Sequence, residues 1–385
     1  MKREVAIFGA GEWGRMAYYY YSRSCEIVCY LDNDKSIWDK SLNNIPICTP
    51  DILKEKKYAV IIANKQFEDA IKQQLLEDYG IEGVVVFRIE EEAQELYVKN
   101  TNFQPEGELI VAFSHGLGNQ MFQYALYRVF ASQGKKVRAD LSAYIKPDMR
   151  PFELENVFPN ITLEYYNPQE KEIYLRDGGN KRYIETAPRG DIPQMYKNSL
   201  LEMESGYVEG FHCSYKYSEM VRTELLKDFE FSYSKNKELV ELKAFLEEKK
   251  AVGIHIRRGD VLEPKYVREI GGICGYEYYR KAIDLIKKKY SDLYFCFFSN
   301  DMEWVKKTFQ EENALYMEEG MFRDYHDWYD LYLMSICKHN IIPNSTFGWW
   351  GAWLNKNPNK TVIAPKRWRN RWDAGDWCPP DWVLI

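Results

Sequence analysis

Ala251-Val252-Gly253-Ile254-His255-Ile256-Arg257-Arg258-Gly259-Asp260 is an apolar run that breaks off in two guanidiniums, a glycine and a carboxylate. The run reads as a buried strand, and its charged tail then sits on a glycine-permitted turn at the carboxyl end. Arginine binds phosphate in a bidentate fork and keeps its charge. The bland alternative, an exposed Arg–Asp pair, is common and contributes little. The position after a buried run favours phosphate. An amphipathic helix (residues 235–250) precedes the strand. A helix (276–289), a strand (293–298), a helix (327–338) and a strand (340–343) follow it. That alternation predicts a parallel sheet covered by helices.

Working outward, the same arrangement recurs. Ser299-Asn300-Asp301 and Asn344-Ser345-Thr346 also close apolar strands, and Gly116-Leu117-Gly118-Asn119-Gln120 follows a strand at 109–113 and enters a helix at 120–133. Each of these has a modest explanation as a turn or a helix N-cap. Open α/β sheets, however, bind ligands at the carboxyl ends of their strands, so four such clusters predict one site. The glycines let backbone N–H groups approach a ligand, Gly118 among them. Asn119, Gln120, Ser299 and the Asn344 cluster supply donors and acceptors suited to hydroxyls, base edges or phosphate. Residues 145–210, rich in Pro, Gly, Asn and charge, read as loop-heavy.

Upstream of a polar stretch at 100–107, short strands at 4–8, 26–31, 58–63 and 83–87 predict a separate Rossmann-like parallel-sheet domain over 1–104, followed by the unit 105–385. Gly9-x-Gly11-x-x-Gly14 lies between its first strand and first helix, where the glycines permit a tight turn and the helix N-terminus suits a phosphate. Asp32 ends the second strand, where a ribose-binding carboxylate would lie. A nucleotide site at Gly9, Gly11, Gly14 and Asp32 and a turn kept without a ligand remain alternatives, because the motif supplies geometry rather than chemistry. Asp32-Asn33-Asp34 also has the form of a metal-binding D-x-D, although its place beside the glycine turn favours a ribose or turn role.

Composition bounds the rest. The 385 residues carry 52 Lys plus Arg against 58 Asp plus Glu, a formal net charge of −6, which argues against a nucleic-acid partner. Hydrophobic residues make up 45 %, enough for well-packed cores, and no apolar run is long enough to span a bilayer. The eight cysteines show no metal-site spacing and read as reduced thiols of a cytoplasmic protein. Lys366, Arg367, Arg369 and Arg371 with Trp368 and Trp372 form a basic–aromatic patch. Its default reading is a solvated surface; the alternative is peripheral contact with the phosphates of a lipid-linked acceptor at the inner membrane face. Trp349, Trp350 and Trp353 read as core before sugar stacking, and His339 as a structural histidine.

Five strings resemble the alpha-1,2-fucosyltransferases of glycosyltransferase family 11: residues 116–125, 252–260, 330–339, 344–355 and 362–368. The resemblance runs over about 108–385 in the family's order. His115 stands where Gly is usual, Val261 where Tyr often follows the Asp, Asn300 within an Asp-Asp pair, and Gly348 where Ser is common. The resemblance implies a GT-B-like, two-lobed glycosyltransferase with lobes about 105–245 and 246–385. It implies inverting transfer of fucose from GDP-L-fucose to the 2-hydroxyl of a terminal galactose on a glycan acceptor, with no metal and no other cofactor. Residues 108–385 hold no D-x-D. In that scheme Arg257 stabilises the departing diphosphate and His255 helps place it. Arg258 braces the loop, since neighbours leaving a strand point opposite ways. Asp260 either accepts the acceptor proton or orients Arg257, with Glu263 a poorer base. Asn119 sits near the reacting centre, and Asp301, Asn344, Ser345, Thr346 and Phe347 hold the nucleotide. The competing readings are an NAD-linked sugar-nucleotide oxidoreductase or epimerase built on the first glycine motif, which lacks a Tyr-x-x-x-Lys pair there, and a sugar-nucleotide sensor without turnover.

Overall fold

The computed structural model describes residues 3–22, 25–38, 40–43, 45–64, 67–87, 107–145, 150–166, 182–184, 195–232, 236–268, 270–322, 325–370 and 372–385. They form three α/β sheets in succession. The first holds β1 (Arg3–Phe8), β2 (Cys25–Leu31), β3 (Ser41–Leu42), β4 (Ile45–Cys48), β5 (Ala59–Ile62) and β6 (Val85–Val86), in the order β3-β4-β2-β1-β5-β6. Only the edge pair β3–β4 is antiparallel. The parallel strands therefore follow the doubly wound order, with the glycine turn between β1 and helix α1 (Glu12–Tyr21). Helix α2 (Glu68–Tyr79) connects β5 to β6, whereas the crossovers on either side of β4 are short 3-10 turns. The expected domain boundary at 104/105 lies outside the described residues.

The second sheet, β8-β7-β10-β9, is wholly parallel: β7 (Glu108–Ala112), β8 (Lys136–Asp140), β9 (Arg182–Ile184) and β10 (Gly206–Glu209). Helix α3 (Leu117–Ser132) joins β7 to β8 and is buried around most of its circumference. The loop-heavy expectation for 145–210 needs correction here, since β10 is an inner strand of this sheet. Four residues, of which Tyr207 and Val208 are the buried apolar pair, are too short to show a period.

The third sheet, β13-β12-β11-β14-β15-β18, is also parallel: β11 (Ala251–Ile256), β12 (Tyr294–Ser299), β13 (Ala314–Tyr316), β14 (His339–Ile341), β15 (Val362–Ala364) and β18 (Val383–Leu384), with a hairpin of β16 (Arg367–Arg369) and β17 (Trp372–Asp373) beside it. Strand β11 lies centrally between β12 and β14, which is why its run is apolar on both faces. Its helices are α4 (Lys237–Glu248), α5 (Tyr276–Lys289), α6 (Met302–Thr308), α7 (Trp328–Ile336) and α8 (Thr346–Leu354). The lobe boundary expected near residue 245 falls inside α4. That helix packs on α7, and Phe245 meets Tyr294 edge-on, so α4 belongs to the third sheet's lobe. Two sheet-based lobes with helices between them make residues 108–385 a GT-B-like unit. Among the described residues no helix is long and apolar enough to cross a membrane.

Candidate active site

Strand β11 delivers His255 and Arg257 to the carboxyl edge of the third sheet. The His255 Nδ1 is enclosed with no hydrogen-bond partner among the described residues, and a Cβ on Gly348 would lie 2.5 Å from it. The ring of Phe347 stands 5.8 Å away, and the Tyr279 hydroxyl donates to the His255 carbonyl at 3.2 Å. Burial, and then the positive charge of Arg257, push the His255 pKa down to about 3. The imidazole is therefore neutral at physiological pH and carries a single N–H.

Arg257 and Arg258 diverge. Arg258 turns to the adjacent strand end, where its Nε donates to Asp301 Oδ2 at 2.9 Å and its guanidinium lies 3.9 Å from the Trp304 ring centroid. Its backbone N–H donates to Asn300 Oδ1 at 2.9 Å. Gly259 has φ +48°, which a side chain would strain, and a Cβ there would stand 2.6 Å from Asn300 Nδ2 and displace that amide. Arg258 is a brace, and Arg257 is half-buried just past the end of β11. Asp260 lies in the short 3-10 turn that follows, but its side chain is outside the described residues.

Several residues expected on the nucleotide also hold the structure together. Asp301 accepts from Arg258 with one oxygen and caps α6 through Trp304 N with the other, and the Arg258 hydrogen bond holds its carboxyl below the ordinary carboxylate range. Ser299 Oγ accepts from Asp301 N. Asn344 donates to the carbonyls of Ile270 at 3.0 Å and Trp368 at 3.1 Å, tying the 344–346 loop, the expected donor loop, to the β16–β17 hairpin. Ser345 is buried at the start of α8, and Thr346 and Phe347 are half-buried. Gly118 is buried against that helix: a Cβ would lie 2.6 Å from Phe347 N and 2.7 Å from Thr346 Oγ1, and Trp350 Nε1 donates to the Gly118 carbonyl at 3.0 Å. Its missing side chain lets two lobes touch.

Asn119, half-exposed, follows Gly118 in the first turn of α3. The loop before it is held by two buried glutamines. Gln120 donates to the His115 and Pro151 carbonyls and accepts from Glu153 N and Leu154 N. Gln123 accepts from Ser114 N and donates to the Gly210 carbonyl. His115 has φ +67°, which explains a preference for glycine at its position. Its ring meets Phe211 edge-on at 4.8 Å, so the neighbouring strands β7 and β10 each add an aromatic ring at their carboxyl ends.

Trp349, Trp350 and Trp353 are fully buried, and each indole N–H has a partner, in Trp377 O, Gly118 O and Glu219 Oε1. They are core and stack on no sugar. His339 is structural: Nδ1 accepts from Thr361 N, and the ring stacks on Tyr290. Four supporting groups complete the site: Asn300 stood in a recognised cluster and Gln123 within the string 116–125, whereas Trp304 and Phe211 had no signal in the sequence. Among the described residues no three His, Cys, Asp or Glu side chains gather as a metal would need.

In the N-terminal unit, Asp32 turns onto the glycine loop: Oδ2 accepts from Ala10 N at 2.8 Å and Oδ1 from Asp34 N at 2.9 Å. Gly9, at φ +113°, approaches the Ala63 carbonyl, and Gly14 packs on the Gly9 carbonyl. Gly11 faces open space.

The profile of glycosyl transferase family 11 matches residues 85–385. The chain belongs to this family. Residues 1–87 match a second profile, C2185-like, N-terminal. Among curated proteins, the chain is similar to the alpha-1,2-colitosyltransferase of Escherichia coli, 29 % identical over 297 residues that cover 72 % of this chain and 98 % of that protein. The O-antigen biosynthesis glycosyltransferase WbnK of Escherichia coli is 30 % identical, with coverage of 66 % and 93 %. The galactoside alpha-(1,2)-fucosyltransferase 1 of Leontopithecus chrysomelas is 29 % identical over 62 % of each chain. Among solved structures, NodZ alpha-1,6-fucosyltransferase soaked with GDP-fucose aligns with TM-score 0.39 and 14 % identity, over 65 % of this chain and 92 % of that one. The family 11 glycosyltransferase described here thus carries an additional sheet domain ahead of its catalytic lobes.

Proposed function

We propose that the enzyme transfers L-fucose from GDP-L-fucose to the 2-hydroxyl of a terminal galactose, with inversion and without a metal, in the building of a surface glycan. The observation that carries this reading is the pair at the end of β11: a half-buried arginine beside a histidine kept neutral by burial. As the bond between the sugar's anomeric carbon and the β-phosphate breaks, positive charge grows on the ring and negative charge on the leaving diphosphate. The Arg257 guanidinium offsets the negative charge, and the neutral His255 can offer an N–H to a phosphate oxygen without a further charge. The galactose hydroxyl attacks the opposite face, and its proton leaves to Asp260 or to solvent. Asn119, on the other lobe, orients the acceptor side. Residues 1–104 are an accessory unit in this scheme, and the transfer takes place in the cytoplasm.

The similarity to an alpha-1,2-colitosyltransferase favours one second reading, in which the donor sugar is GDP-colitose; colitose is L-fucose without its 3-hydroxyl. Incubation with each donor and a β-galactoside, with and without EDTA, tests both. Product from GDP-fucose in both tubes is expected. Product from GDP-colitose alone would replace the donor, loss with EDTA would overturn metal-free transfer, and no product from either donor would sink the reading. Arg257→Ala should lower kcat by about 10²–10³ with Tm unchanged, as expected for one lost transition-state donor. Near-normal turnover in that variant refutes the role.

A further inference from the structure

Two segments meet beside the donor loop and expose side chains of opposite character. Residues 262–268, beginning five positions after Arg257, expose Leu262 (49 %), Tyr266 (39 %) and Val267 (41 %), with Arg268 also at the surface. Residues 366–370 lead from β15 into the hairpin and expose Lys366 and Arg367, while Trp368 is buried beneath them. Asn370 Nδ2 donates to the Val267 carbonyl at 2.8 Å, and Asn344 bridges the Ile270 and Trp368 carbonyls. The two segments, about a hundred residues apart in the chain, are thereby fastened into one surface.

Single exposed apolar residues are ordinary, but three within six positions, flanked by three cations, make a patch. Glu263 is exposed in the same segment and opposes the cations only in part. Apolar side chains beside guanidinium and ammonium groups match a partner with an anionic face and an apolar interior. A lipid bilayer has both: the cations meet headgroup phosphates while the apolar side chains enter the acyl boundary. A free anion would use only the cations. The basic segment 366–371 therefore gains from the fold the apolar half that its own exposed side chains lack.

We propose that Leu262, Tyr266 and Val267, with Arg268, Lys366 and Arg367, dock the enzyme on an anionic phospholipid surface. The inference deepens the transferase reading, because it sets the donor loop next to a glycan acceptor held at the membrane; the docking itself needs neither donor nor acceptor.

Co-sedimentation of the full chain with vesicles, without substrates, tests it. Phosphatidylglycerol-rich vesicles should bind at least ~10-fold more tightly than pure phosphatidylcholine ones, and the difference should shrink when salt rises from about 0.1 to about 0.5 M. Leu262→Ser with Val267→Ser should weaken binding by about 10-fold while leaving Tm and transfer to a soluble β-galactoside unchanged. Arg268→Gln with Lys366→Gln and Arg367→Gln should erase the preference for anionic lipid. Inorganic phosphate, added at constant ionic strength, should fail to displace the enzyme. No partition onto the anionic vesicles, binding indifferent to both sets of substitutions, or displacement by phosphate would each overturn the proposal. The soluble-acceptor assay reports separately on the transferase reading.

Discussion

Gly14 packs on the Gly9 carbonyl of its own turn, whereas Gly118 packs on Thr346 and Phe347, which belong to another lobe. Both glycines lie in the first turn of a helix that follows a strand through a short glycine-containing turn. In the N-terminal unit the turn is closed from within its own sheet: Asp32, just after β2, holds Ala10 N, and Gly9 fits under the Ala63 carbonyl just after β5. In the catalytic unit the turn is closed by tertiary contact, with Trp350 from α8 donating to the Gly118 carbonyl. The lesson is that a glycine pattern reports that something comes close. What comes close is a matter of fold: a ligand, the same turn, or a second lobe.

Substitutions at these turns can break the comparison. Gly118→Ala should have the largest effect, because the new methyl meets backbone that cannot swing aside. Overpacking of that kind costs about 1–3 kcal/mol, and the displaced lobes should lose more than ~100-fold in kcat. Thermal unfolding and transfer assays on this variant and on Gly11→Ala would decide the matter. Gly11→Ala enters open space at an ordinary φ of −88° and should stay within about 0.5 kcal/mol of the parent. Equal, small shifts in the two would dissolve the contrast.

Next in size is Asp32→Ala, which leaves two backbone N–H groups without their carboxylate. A loss of about 1.5–3 kcal/mol is expected in the unfolding of the N-terminal unit, with transfer by the catalytic unit retained. Hydrogen exchange at Ala10 and Asp34 would locate it; unchanged protection would mean the turn is held otherwise. His115→Gly should have a smaller effect than Asp32→Ala, and in the opposite direction. A non-glycine residue at φ +67° carries strain of about 1–3 kcal/mol, offset in part by glycine's greater freedom when unfolded. A Tm rise of about 2–4 °C with unchanged KM for the donor is expected. A fall in Tm would show that the Phe211 contact outweighs the strain.

Much of the catalytic unit was legible because its signals are local. Strand β11 spans Ala251–Ile256 as its apolar run implies, and α5 spans Tyr276–Lys289 because its apolar positions recur at helical spacing. The bracing role of Arg258 follows from alternation along a strand, and the contact with Asp301 bears it out. Strand β10 was illegible, because a four-residue inner strand owes its place to β7 and β9 and not to its own pattern. Asp301 and Asn344 were found as polar groups at strand ends, but their partners, Arg258 and the Ile270 and Trp368 carbonyls, lie 24 to 74 positions away.

Local chemistry in the chain was enough to establish the parallel α/β class, the family resemblance and the arginine at the end of β11, since strand burial and side-chain charge need only neighbours in sequence. Tertiary structure alone determined which polar groups at the strand ends are spent on holding loops, that Gly118 is a seam between lobes, and that Asp32 closes its own turn. It also joined the apolar segment 262–268 to the cations of 366–370. The physical reason is that a hydrogen-bonding group or a missing side chain is indifferent to its partner until the chain brings one within about 3 Å.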